Sequence, residues 1–232
     1  MFDFLEKNFN FKNFIKSISI IYIYFCSNIF VLIPAKIFNL NLNNLSLNQL
    51  TYLNIYISVI LILIIFGFYF KDLIKEFKSF TKQFWNNFDV GIKYWLLGLA
   101  VMFISNIILL TIFKSSGANN EAAVQSLIKA NPAVMGLYTC LLAPFIEEII
   151  FRKALKDFIK NKWILVIISF FFFGGAHVLS MAKTFTDLLY IIPYGALGAT
   201  FAYAYYKTDT VFTTVTFHII HNTILFLISS VI

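Results

Sequence analysis

The chain has 232 residues, of which 60% are hydrophobic and only 12% are charged, and its mean hydropathy is +0.82. Soluble domains are about 45–50% apolar and about 25% charged, so this composition excludes an ordinary soluble domain and predicts an integral membrane protein. The net charge of +7 does not indicate a nucleic-acid partner. The lysines lie between apolar segments, where the positive-inside rule accounts for them.

Seven apolar segments meet or approach the length of about 20 residues that a spanning helix needs. They are 17–35, 51–70, 90–113, 133–152, 163–182, 186–206 and 210–231. No internal repeat or linker divides the chain. We therefore expect 1–232 to form one all-α domain, a polytopic transmembrane helical bundle of seven or eight spans in contact with the lipid bilayer.

The basic residues predict which end of this bundle faces the cytoplasm. With the N-terminus inside, only four of the eighteen basic residues fall on the outer side, namely Lys36, Lys114, Lys129 and Lys183. This asymmetry favours a cytoplasmic N-terminus and, for seven spans, an outside C-terminus in a bacterial-type cytoplasmic membrane. Residues 1–16 mix phenylalanine with charged residues and are expected to lie at the interface. The loop 114–131 is expected to form a short helix on the outer surface.

Two adjacent carboxylates and the only arginine lie at the end of the fourth segment, in residues 143–152. Ionisable side chains inside a membrane are costly and usually mark a functional site. Glu148 and Arg152 are four residues apart on one helix face, so an ion pair is predicted. Glu147 is rotated by roughly 100° from Glu148, which leaves it free for chemistry. Pro144 is expected to kink the helix just before the pair.

All three histidines lie in later apolar segments. His177 follows two glycines, which would let a neighbouring helix approach closely. His218 and Asn222 are four residues apart and share a helix face. His221 is next to both and is interpreted as a core residue rather than a catalytic one.

These residues form three motifs on three segments: Glu-Glu-x-x-x-Arg, Phe-x-x-x-His and His-x-x-x-Asn. Together the motifs resemble those of the CAAX prenyl protease 2 family, also called CPBP or Abi, which includes intramembrane proteases and bacteriocin-immunity proteins. The resemblance covers 133–231, the expected catalytic core, with the active site between the last four spans. The first three spans, 1–113, match only in hydrophobicity. Lys153 departs from the family, whose members often have glycine there, and a local packing difference is expected.

The resemblance implies an intramembrane endopeptidase that hydrolyses a peptide bond in a peptide or membrane-associated substrate. Bacterial members point to peptide-signal processing or bacteriocin self-immunity. A carboxylate and a histidine can hold and deprotonate a water, so Glu147 is the expected general base, helped by His177. His218 and Asn222 are expected to donate hydrogen bonds to the oxyanion. Two charged groups are expected to support them, Glu148 and Arg152.

Three alternatives stay open. Glu147, His177 and His218 could instead form a zinc site with an open position for water. No HExxH pair is present, which favours a mechanism without an obligatory metal. A non-catalytic membrane immunity or scaffold protein would tolerate loss of Glu147. A proton-coupled transporter would use the same groups as a relay, but it predicts internal repeats that the sequence lacks.

The predicted site residues differ in depth. Glu147 lies about five residues from the cytoplasmic end of its segment, whereas His177 lies about 21 Å into the next one, at about 1.5 Å per residue. They meet only if the fourth helix continues beyond residue 152, or if the helices are tilted or broken, and 153–160 could extend the fourth helix. On this basis we expect a water-filled cavity that opens to the cytoplasmic side.

Overall fold

The computed structural model describes residues 11–115 and 117–231, with side chains described up to 229. That part of the chain is helical and contains no strand, which confirms the all-α expectation. Residues 1–10 of the expected interfacial segment lie outside the described residues. The helices are α1 Phe11–Phe25, α2 Leu32–Ile37, α3 Leu47–Lys82, α4 Phe84–Thr111, α5 Asn119–Ala130, α6 Pro132–Phe158, α7 Lys162–Val178, α8 Phe185–Leu189, α9 Ile191–Thr208 and α10 Val211–Val231.

The number of candidate spans is five, or six if the bent pair of α1 with Ser27–Ile37 is counted as one span. The other five are α3, α4, α6, α8 with α9, and α10. The expected count of seven is not confirmed, because α7 has only 17 residues. A helix of that length rises about 26 Å, which is less than the roughly 30 Å of a bilayer core. The apolar helices still make this an integral membrane protein.

Helix α6 carries the carboxylate pair between two π-helical turns. Tyr138–Leu142 precedes the short α-helical stretch Ala143–Glu148, and Ile149–Lys153 follows it. Such turns are rare and occur frequently at functional sites. The kink expected at Pro144 therefore takes the form of a wide turn within a helix that continues to Phe158.

Charged side chains close one end of the bundle, which we call the lysine-rich end. It is formed by the start of α1 and by the α3–α4, α6–α7 and α9–α10 junctions. Buried Lys153 of α6 lies 3.0 Å from Glu76 of α3 and 3.1 Å from Asp157. Glu76 also accepts a hydrogen bond from the backbone N–H of Val211 at 2.8 Å. Lys153 is therefore a buried link that connects α6 to α3 and, through Glu76, to the start of α10.

Helices α7 and α9 pack closely because glycines lie where they cross. A Cβ at Gly174 would lie 2.6 Å from the carbonyl oxygen of Ile191, and one at Gly198 would lie 2.6 Å from that of Ser169. Real Cβ atoms do not approach backbone oxygens so closely. The close approach expected before His177 is therefore observed, and it sets the position of the histidine against α9.

Gly174→Ala is expected to destabilise the protein by about 1–3 kcal/mol, since the added methyl group must push α7 and α9 apart. The matched control is Gly67→Ala on α3, where a Cβ would meet no atom within 4 Å. That change is expected to be neutral or slightly stabilising, because alanine is the better helix former. Denaturant titration of both variants in detergent measures the difference. Equal stability of the two variants would contradict the close packing.

Candidate active site

Three of the predicted site residues converge from three helices. Glu147 lies on α6, His177 is near the end of α7, and His218 lies in the first half of α10. The Nε2 atom of His177 is 3.8 Å from Glu147 Oε2, and that of His218 is 3.7 Å from the same oxygen. Helix α6 continues to Phe158, which is one of the two ways in which the difference in depth could be resolved.

In each histidine, the hydrogen bond made by Nδ1, the ring nitrogen that points away from Glu147, indicates the tautomer. His177 Nδ1 is 2.9 Å from the carbonyl oxygen of Phe173, which can only accept, so Nδ1 carries the proton. His218 Nδ1 is 2.8 Å from Glu148 Oε1 and donates to it in the same way. With Nδ1 protonated, the neutral form of each ring presents the lone pair of Nε2 towards Glu147.

This arrangement brings three hydrogen-bond acceptors together. Distances of 3.7–3.8 Å are too long for direct hydrogen bonds to Glu147. They fit a shared donor between the groups, and a water molecule is the smallest such donor. A water has two O–H groups, so this geometry can polarise it towards Glu147 and one of the two histidines, which is what a hydrolytic site requires.

Glu148 and Arg152 form the predicted ion pair, and both are fully buried. Arg152 Nη1 lies 3.1 Å from Glu148 Oε1, the same oxygen that faces His218. The guanidinium group also lies over the ring of Phe173, 4.2 Å from its centre, a cation–π contact. Glu148 therefore orients His218, while Arg152 offsets the buried negative charge.

Asn222 makes a contact that the motif did not predict. Its side-chain N–H donates to the carbonyl oxygen of Thr139 at 2.9 Å. In the π-helical turn, the N–H of Ala143 bonds Tyr138 five residues back. Pro144 comes next and has no N–H, so it leaves Thr139 without that partner. Asn222 fills this position and ties α10 to α6 beside Glu147.

Asn222→Ala is expected to lower the free energy of unfolding by about 1–3 kcal/mol, because a partly buried carbonyl loses its donor. Pro144→Ala restores a backbone N–H that can reach Thr139. The double variant should therefore be more stable than the sum of the two single changes predicts. Unfolding titrations of the four proteins measure this coupling. Strict additivity would show that Pro144 and Asn222 do not share the Thr139 carbonyl.

Two cavities meet at Glu147. The first cavity, of about 520 Å³, lies between α1, α3, α6 and α7. The second, of about 270 Å³, is bordered by α5 and is lined by His177, His218, His221 and Asn222. Tyr24 and Tyr138 line both cavities. Tyr194 stacks on His177 with ring centres 4.8 Å apart. Sequence analysis missed these tyrosines, because no motif distinguishes them from the other nine.

The residues proposed for a metal do not form a ready metal site. Among the residues described, no group of three or more histidine, cysteine or acidic side chains is arranged to hold an ion. Glu147, His177 and His218 are suitable zinc ligands by type. Their arrangement does not support a step through a metal, so none is derived below.

Comparison with known proteins agrees with the motifs. Residues 129–224 match the family model described as type II CAAX prenyl endopeptidase Rce1-like. The chain is also 30% identical over 106 residues to a protein of Bacillus subtilis (strain 168) named "Putative membrane peptidase YdiL". That alignment covers 46% of this chain and 41% of the relative. No solved structure matches the chain.

The resemblance to the CAAX prenyl protease 2 family is thereby confirmed. Residues 129–224, which match the Rce1-like model, contain all three motifs. Helices α1 to α4 and most of α5 lie outside this range. The chain spans less than half the length of this relative. The peptidase activity in the relative's name describes that protein.

Proposed function

We propose that this protein is an intramembrane endopeptidase that hydrolyses a peptide bond with a water activated by Glu147. The convergence of Glu147, His177 and His218 within the range that matches the Rce1-like model is the observation that carries the proposal. A scaffold would gain nothing from placing three acceptors around one buried point, since unpaired buried polar groups are costly.

In the proposed reaction Glu147 and His177 hold the water and remove one of its protons. The hydroxide adds to the scissile carbonyl carbon, and the carbonyl oxygen becomes an oxyanion. The C–N bond then breaks, and the proton taken from water passes to the leaving nitrogen. One water is consumed, and one carboxyl group and one amine are produced. These steps need a base beside the attacking water and hydrogen-bond donors beside the carbonyl oxygen.

His218 is proposed to take over the water proton from Glu147, whose Oε2 lies 3.7 Å from its Nε2. The charged ring then stabilises the oxyanion and passes this proton to the leaving nitrogen as the C–N bond breaks. Its Nδ1–H is held by Glu148, so Nε2 can donate only in the charged ring. Asn222 uses one amide N–H for Thr139, which leaves its second N–H as the proposed oxyanion donor.

The substrate is proposed to be a peptide or a membrane-associated protein segment. The proposed location is a bacterial-type cytoplasmic membrane with the N-terminus inside and the C-terminus outside, a topology in which the short helix α7 also crosses. Peptide-signal processing and bacteriocin self-immunity are the two proposed settings. Nucleic acid is not a proposed partner, because the lysines follow the positive-inside pattern.

Purified protein in detergent is expected to cleave members of a quenched peptide library that contains prenylated and unmodified peptides. Chelator is expected to leave the rate unchanged, because the proposed mechanism needs only side chains and water. Loss of cleavage with chelator and recovery with zinc would replace this mechanism with metal-assisted hydrolysis at the same residues. No cleavage of any peptide, with protection in vivo intact in Glu147→Ala, would leave the immunity or scaffold function.

A further inference from the structure

Both cavities lie in the half of the bundle away from the lysine-rich end. Helix α6 runs towards that end, and its cavity-lining residues lie at or before Glu147. Helix α10 runs away from it, and its cavity-lining residues are His218 and later ones. The second cavity continues to the far end of the bundle, where its wall includes Asn120 and Glu121 of α5 and Ser229 of α10.

The half between Glu147 and the lysine-rich end is closed. On α6, Ile149, Ile150 and Phe151 are completely buried. Neighbouring helices contribute further side chains with at most 4% exposure at the same level, namely Tyr69, Leu73, Phe201, Tyr205, Val211 and Phe217. The buried Lys153–Glu76 and Lys153–Asp157 pairs lie beyond this layer. A peptide could not reach Glu147 from the lysine-rich end without unpacking the core.

The charges at the two ends indicate which one faces the cytoplasm. Exposed lysines crowd the lysine-rich end, and they include Lys71, Lys75, Lys78, Lys82, Lys160 and Lys207. In the described residues the far end has four lysines, Lys36, Lys114, Lys129 and Lys183, and two acidic residues, Glu121 and Asp187. Lysine and arginine accumulate on the cytoplasmic side of membrane proteins. The closed end is therefore the cytoplasmic one.

We infer that the site opens to the outer face of the membrane and that its substrate is a peptide segment presented on that outer side. The inference rests on the proposed function, because a peptide substrate presupposes the proposed peptidase activity. It reverses the cytoplasmic opening expected from the sequence, because side-chain packing around Ile149–Phe151 closes that route. Translocated peptides and outer segments of membrane proteins are the substrate class that follows.

The first test compares right-side-out and inside-out vesicles from cells that make the full chain. A membrane-impermeant quenched peptide that the detergent-solubilised protein cleaves is added outside both. Right-side-out vesicles are expected to cleave it at least ten-fold faster, and vesicles with Glu147→Gln serve as the blank. Faster cleavage by inside-out vesicles would overturn the inference while the proposed function stands.

The second test does not depend on activity. On a background of Cys26→Ser and Cys140→Ala, which removes both cysteines, one cysteine is introduced at a time. Intact cells are treated with an impermeant maleimide. Ser126→Cys on α5 and Ser27→Cys in the first cavity are expected to react, and exposed Thr81→Cys at the lysine-rich end is expected to react only after lysis.

Labelling of Thr81→Cys in intact cells, with Ser126→Cys and Ser27→Cys protected until lysis, would overturn the outer opening. If no peptide is cleaved even in detergent, the proposed function fails, and this labelling still decides which side the cavity faces. The two failures are therefore distinguishable.

Discussion

Glu147→Gln is expected to lower the rate of peptide cleavage by about 10²–10⁴-fold, because glutamine keeps the shape of glutamate but cannot take a proton from water. The carboxylate oxygen of Glu147 is the atom that both histidine Nε2 atoms face, at 3.7 and 3.8 Å. Initial rates with a quenched peptide substrate in detergent measure the loss. The unfolding midpoint should stay close to that of the wild type, since Glu147 is only half-buried in a cavity.

The matched control for this change is Glu121→Gln. Glu121 lines the same cavity from α5, so the change removes an equal charge from the same space. Its rate is expected to stay at the wild-type level. A comparable loss in both variants would mean that the cavity needs negative charge rather than a base at Glu147. An unchanged rate in Glu147→Gln would remove Glu147 from the mechanism.

Arg152→Met is expected to destabilise the protein by about 3–5 kcal/mol, because it leaves the carboxylate of Glu148 buried without its counter-charge. Both side chains of the pair are 0% exposed, and the separating distance is 3.1 Å. Methionine has a similar length and fills the space over the Phe173 ring, so the loss comes mainly from charge. Denaturant titration in detergent measures the free energy of unfolding.

Two controls separate burial from ion pairing in general. The double variant Glu148→Gln with Arg152→Met removes both charges and is expected to recover part of the stability. Asp209→Asn breaks an ion pair with Lys156 at a side chain that is 89% exposed, and should cost about 0–1 kcal/mol. If breaking the buried pair and breaking the exposed pair lower the free energy of unfolding equally, water must reach Arg152 despite its burial.

Several features of the site could be predicted from the sequence. They depend on spacing within one helix or on the free-energy cost of placing charged groups in a membrane. The Glu148–Arg152 pair follows from helical spacing, and the structure places the two groups in contact. The convergence of Glu147 with His177 and His218 was expected because charged and polar groups in an apolar segment need partners. The continuation of α6 to Phe158 is one of the two possibilities that the depth of His177 left open. The catalytic roles of these residues remain predictions.

Other features could not be read from spacing. The bond from Asn222 to Thr139 depends on a π-helical turn and on Pro144 lying at the position that has no N–H. The role of Lys153 as a buried link depends on α3 and the α9–α10 junction, which are about 75 and 55 residues away in sequence. The expected number of spans is not confirmed at α7, where hydropathy alone does not show that the helix ends after 17 residues.

The sequence by itself determined that the protein is helical and membrane-embedded, which residues are the candidates for chemistry, and which end carries the lysines. Those properties depend on composition and on contacts within one helix. The tertiary structure decided which tautomers face Glu147, which partners Asn222 and Lys153 take, and which end of the bundle is closed. Those properties arise from packing between helices far apart in the chain, where buried side chains such as Ile150 and Phe151 exclude one route and leave the other open.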